Sequence, residues 1–206
     1  MTVGLVLGGA GWAEAEIDFS GSDNTYTASA SGLTQGIPDN SPSGAAYALN
    51  FADTGLSISS VSVTLDISGG YNGDLTVYLS HGSQISYLLV ANPAMSSSGF
   101  NAMFIAGTDN PVPTGGSGLV SGTTFTAASG DLAGFNSTDP NGNWTLFFAD
   151  LSPGDTSTLT GFDVTIGTMS AVPEPVNVAL AFFGGILAVG SLFYRRRNAT
   201  SATILN

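Results

Sequence analysis

Asp74, Asp150 and Asp155 are the residues of this chain whose type and placement come nearest to a chemical site. Each lies at the end of a strand-like run, where loops could bring them together. A hard cation such as Ca2+ takes about six to eight oxygens from carboxylates, amides and backbone carbonyls, usually on loops. Three carboxylates that loops can draw together are therefore a candidate calcium site. Thirteen acidic residues lie between Glu16 and Ser170 with no Lys or Arg among them, and a bound dication would relieve their repulsion. The competing reading is an acidic surface that keeps the protein soluble. Asp139-Pro140-Asn141-Gly142-Asn143 starts like an EF-hand loop, but its proline and the lack of a Glu at the twelfth position make it a type I turn.

Other chemistry is sparse. His81, the one histidine, stands in Leu79-Ser80-His81-Gly82-Ser83, where a strand runs out into a turn. It is the only available base for a Ser-His-Asp triad, and no Gly-x-Ser-x-Gly motif exists to serve it. An exposed turn histidine is the simpler reading, and no enzyme is expected. Tyr71 and Asn72, in a Gly-rich loop with Asp74, are candidate exposed ligand contacts. Trp144, on an apolar strand face, belongs to the core rather than to a sugar-stacking platform. Cysteine is absent, which removes disulfides, zinc–thiolate sites and thiol nucleophiles together.

The elements that must position these residues follow from pattern. The chain has 206 residues, 43% hydrophobic and only 9% charged, with a net charge of -12. An ordinary soluble domain carries about 25% charged residues. A surface this acidic repels phosphate backbones and argues against nucleic-acid binding. From residue 16 to residue 170 the apolar residues recur with period two: Val61, Val63, Leu65 and Ile67; Leu75, Val77 and Leu79; Trp144, Leu146 and Phe148; Phe162, Val164 and Ile166. That alternation predicts half-buried antiparallel strands, hence an all-β sandwich in a single domain. Weaker strands are predicted at Ala46–Phe51, Ile85–Val90, Asn101–Ile105 and Thr123–Ala127. Gly-, Asn- and Pro-rich turns separate them.

The two ends read as addresses. Residues 1–15 hold a short apolar run followed by Ala13-Glu14-Ala15, small residues at signal-peptidase spacing. A buried first strand is the alternative, disfavoured by Gly8, Gly9 and Gly11. The basic n-region is missing, so the expected export signal is atypical or truncated. Residues 171–206 form a second segment. Val176–Tyr194 is 19 residues without a charge; as a helix it would reach about 28 Å, close to the bilayer core. Arg195-Arg196-Arg197 follows and predicts a cytoplasmic end, leaving the sandwich outside. In front stands Val172-Pro173-Glu174-Pro175, where two prolines keep the chain extended and open to a protease. Pro-Glu-Pro, one spanning helix and a basic cluster together resemble the bacterial PEP-CTERM sorting signal. The resemblance implies cleavage by an exosortase, a membrane transpeptidase, and passage from the inner membrane to the cell envelope or extracellular matrix. A plain tail anchor is the bland alternative.

The middle carries a second resemblance. Ile37-Pro38-Asp39-Asn40, the run Ile58–Ile67, Gly73-Asp74-Leu75-Thr76-Val77-Tyr78-Leu79, Asp131-Leu132-Ala133-Gly134-Phe135, Asn141-Gly142-Asn143-Trp144-Thr145-Leu146, Asp150 and Leu159–Ile166 occur in that order. The series resembles the P domain (P/Homo B) of subtilisin-like proprotein convertases, with a poor match between Ala91 and Val120. It implies an eight-stranded, jelly-roll-like antiparallel β-sandwich that stabilises a protease and does no catalysis, and some bacterial members hold calcium in such loops. The expectation is thus an exported, non-catalytic surface or matrix protein with one C-terminal transmembrane helix. Rival readings are a carbohydrate- or exopolysaccharide-binding adhesive module and an accessory domain for a separate secreted protease.

Overall fold

The computed structural model describes residues 18–22, 24–51 and 56–170, all within the unit Met1–Ser170. The expected export signal, the Pro-Glu-Pro segment, the helix 176–194 and the Arg cluster lie outside the described residues. Among the described residues no helix is long and apolar enough to cross a membrane.

Two sheets face each other. The larger contains β1 (Asp18–Ser22), β2 (Thr25–Gly36), β10 (Ser157–Ser170), β4 (Leu56–Gly69), β7 (Phe100–Ile105) and β8 (Val120–Phe125), in that spatial order. The smaller orders β3 (Ala45–Phe51), β9 (Gly142–Asp150), β5 (Leu75–His81) and β6 (Gln84–Leu89). Every pairing is antiparallel except β7 with β8, which is parallel and departs from the fully antiparallel expectation.

The alternation in sequence is the alternation in space. Val61, Val63, Leu65 and Ile67 of β4 and Phe162, Val164 and Ile166 of β10 turn inward from one sheet. Leu75, Val77 and Leu79 of β5 and Trp144, Leu146 and Phe148 of β9 turn inward from the other. Tyr47 of β3 meets Phe162 across the gap, with ring centroids 4.8 Å apart. Each such Leu, Val or Phe taken from water contributes about 1.5–3 kcal/mol, so interdigitation of these two faces is what holds the sandwich closed.

The weaker strands form within a few residues of their expected limits. Two elements carry no comparable sequence signal. β1 and β2 are rich in Ser, Thr and Gly, and β2 contributes mainly the small buried Ala28 and Ala30. β2 exists because β10 is long enough to pair with it, from Thr158↔Gly36 to Gly167↔Thr25, with a bulge near Gly161. With them the described strands number ten, against the eight that the resemblance implied.

Candidate functional site

One end of the sandwich gathers carboxylates. β9 ends at Asp150, paired with Leu75 at the start of β5, so Asp74 and Asp150 are neighbours across strands. The Leu151 N–H donates to the Asp74 carbonyl at 2.9 Å, and the Ser41 N–H donates to the Asp150 carbonyl at 2.8 Å. That second bond brings in the loop ahead of β3. There Asp39 accepts the Gly154 N–H with both carboxylate oxygens, each at 3.3 Å, beside Asp155.

Asp150 sits at the centre of this group. It is fully buried, with one carboxylate oxygen accepting the Ser152 N–H at 3.2 Å and the other, Oδ2, left without a partner. Burial pushes its carboxyl above the usual carboxylate range; the charges of Asp74, Asp39 and Asp155 push the same way, and the Ser152 bond opposes them. Of the three carboxylates expected from sequence, Asp74 and Asp155 therefore both act on Asp150. Asp39 joins them although sequence reading placed it only in an opening turn. Its signal was its position after Pro38, at a turn before a strand, and nothing in that position reveals a partner more than a hundred residues away. Among the described residues no three Asp, Glu, His or Cys side chains converge tightly enough to form a ready-made metal centre. A cation here would draw on the orphaned Asp150 oxygen together with loop carbonyls and water.

Asn72 requires a correction, whereas Tyr71 is half-buried. Asn72 is fully buried, and its amide donates to Ser97 Oγ at 2.9 Å and to the Gly99 carbonyl at 2.8 Å. It pins the 3₁₀ turn Asn72–Asp74 to the segment before β7, and the amide offers nothing to an outside ligand. The Tyr71 hydroxyl donates to the Pro93 carbonyl at 2.7 Å, and its ring packs where any side chain at position 73 would stand. Both residues shape the loop that delivers Asp74.

Trp144 is fully buried, as its strand face requires, and donates from Nε1 to the Pro140 carbonyl at 3.0 Å. His81 stacks on it, 4.2 Å between ring centroids and 7° between planes. The ring's two nitrogens lie 3.0 Å from the Asn143 carbonyl and 2.8 Å from the Asp139 carbonyl. Both are thus engaged with backbone carbonyls.

The outer face of the smaller sheet carries aromatics that sequence reading did not single out. Phe147, Tyr78 and Tyr87 stand in register across β9, β5 and β6. Tyr78 stacks on Phe147 at 4.7 Å and meets Tyr87 edge-on at 5.4 Å. Such cross-strand aromatic pairs brace the sheet.

No known protein family matches the chain, and no curated protein matches it. Among solved structures, the chain is similar to the serine protease of Aeromonas sobria, at 12% identity and a TM-score of 0.43 over 69% of this chain. It is similar at 15% identity, with the same TM-score over 70% of this chain, to a chain of the crystallised complex of the Aeromonas sobria serine protease and the chaperone ORF2. The match spans 26% of the matched chain in each structure.

Proposed function

We propose that this chain is an exported, non-catalytic β-sandwich protein of the cell surface or extracellular matrix, sorted by an exosortase. One observation carries the reading: a sandwich domain is followed in sequence by Pro173-Glu174-Pro175, 19 uncharged residues and Arg195-Arg196-Arg197. The prolines supply an extended cleavage segment, the apolar stretch holds the chain in the inner membrane, and the arginines keep its end cytoplasmic. Intact mass of the native protein from envelope and medium tests this. Loss of everything beyond about Pro173–Pro175 is the expected result, and an intact tail in both fractions overturns it.

A second element of the proposal is a calcium ion at the carboxylate end. The orphaned Oδ2 of buried Asp150, ringed by Asp39, Asp74 and Asp155, favours it. A cation there would neutralise a repulsion that the fold otherwise carries, and it would tie three loops together. Its role is structural, stiffening an ectodomain that works outside the cell. Isothermal titration with Ca2+ tests it, with absence of heat at millimolar concentration as the contrary result.

A further inference from the structure

We propose that His81 is a proton-operated latch: its doubly protonated ring clasps the segment 139–143 against the β5–β6 turn, and loss of one proton releases one of the two bonds. A carbonyl oxygen only accepts hydrogen bonds. Both ring nitrogens of His81 face carbonyls, of Asn143 at 3.0 Å and of Asp139 at 2.8 Å, so both must donate. A neutral imidazole has a single N–H; in either tautomer its other nitrogen sets a lone pair against a carbonyl lone pair. The geometry therefore belongs to the imidazolium.

The surroundings fit that charge. The ring lies flat on Trp144 at 4.2 Å, an arrangement that strengthens when the ring is cationic. Trp144 in turn binds the Pro140 carbonyl, so the stacked pair holds three carbonyls of one short segment. The clasped segment carries one acid, Asp139, and another, Asp131, precedes the 3₁₀ turn whose Phe135 packs on Trp144. Asp139 has its carboxylate committed to Asn141 N and Nδ2 at 2.9 and 2.6 Å, and Asp131 caps the 3₁₀ turn Leu132–Phe135 through Ala133 N at 3.0 Å. β5, β6 and β9 bring only neutral side chains here, among them Ser80, Gln84 and Asn143. The clasped segment and the turn at residues 82–84 form the two walls of a polar surface groove.

The clasped form binds one proton more than the released form, so acidification favours the clasp and rising pH loosens it. The latch belongs to the sandwich and is independent of how the tail is processed.

The test is NMR on the full ¹⁵N-labelled chain in detergent micelles, from about pH 5 to about pH 8. Both His81 ring nitrogens should be protonated at the acid end. The amides of Asn141, Gly142 and Asn143 should shift with the midpoint of the ring, and their exchange protection should fall several-fold above it. His81→Phe, which keeps a ring on Trp144, should abolish the transition in the segment, while Asp139→Asn should retain it. A ring that stays singly protonated throughout overturns the proposal. So do segment amides that stay flat while the ring titrates, or a transition that survives in His81→Phe. The ring and amide measurements on the unaltered chain decide the matter even if that variant does not fold.

Discussion

Asp39 and Gly154 lie 115 residues apart in the chain, yet the Asp39 carboxylate receives the Gly154 N–H with both oxygens at 3.3 Å. This bond closes the carboxylate end of the sandwich. It fastens the loop before β3 to the loop after β9 and turns a third negative charge toward Asp150, which already feels Asp74 and Asp155.

Stability should fall as pH rises through the titration of Asp150. Its carboxyl is raised in the folded state, so between the unfolded and folded pKa values the native protein holds more protons than the unfolded chain. The penalty is absent below the unfolded pKa and complete above the folded one. Asp150→Asn keeps an oxygen for the Ser152 N–H and turns a donor toward the neighbouring carboxylates. In calcium-free buffer near neutrality the variant should be more stable by about 1 kcal/mol, with the gain vanishing in acid. Denaturant unfolding at several pH values reads this, and a less stable variant at neutral pH would contradict it.

Added Ca2+ should reverse that ranking. At a hundredfold excess over its dissociation constant a ligand specific for the native state adds about 2.7 kcal/mol, and the melting temperature of the unaltered protein should rise accordingly. Asp150→Asn and Asp39→Ala should show little of the rise, and a chelator should remove it. Mg2+ should do less, because it demands stricter octahedral geometry. Identical melting curves with and without Ca2+ would refute the site.

Replacing Asn72 should cost folding free energy and leave the surface unchanged. Asn72→Ala strands the Gly99 carbonyl and Ser97 Oγ in a buried place, at about 1–3 kcal/mol. Asn72→Asp should cost more, since a carboxylate cannot donate to that carbonyl. The midpoint of chemical denaturation measures both, and an undiminished midpoint in Asn72→Ala would return the residue to the list of surface contacts.

Gly44 should tolerate no side chain. Its φ of +47° is in the left-handed region, and a Cβ there would run into the Phe148 carbonyl and come within 2.5 Å of Phe147 Cζ. Gly44→Ala should destabilise by about 2 kcal/mol or more and disturb the stacking of Phe147 on Tyr78. Gly36→Ala is the control: its backbone is ordinary and its surroundings are open, so it should be near neutral. Thermal melts of the pair, with near-ultraviolet circular dichroism to follow the Tyr78–Phe147 stack, separate the two cases.

Two-faced strands, and the places where the acids fall along them, follow from local pattern alone. Period two in β4, β5, β9 and β10 is a local property, because each apolar residue points to the core whatever lies opposite. Strand ends are equally local, so Asp74, Asp150 and Asp155 could be placed at one kind of position before any fold was known. Adjacency, by contrast, came from the packing of the whole fold. β2 has only small apolar residues to offer, and it becomes a strand because β10 supplies its hydrogen-bond partners. Asn72 looked like a loop amide and is buried, because the segment before β7 folds over it. Asp39 entered the carboxylate group through a bond spanning more than half the chain, and His81 met Trp144 and two carbonyls only when β5 paired with β9. Such contacts depend on which strands become neighbours, and that is set by the joint packing of two sheets rather than by any single run of residues.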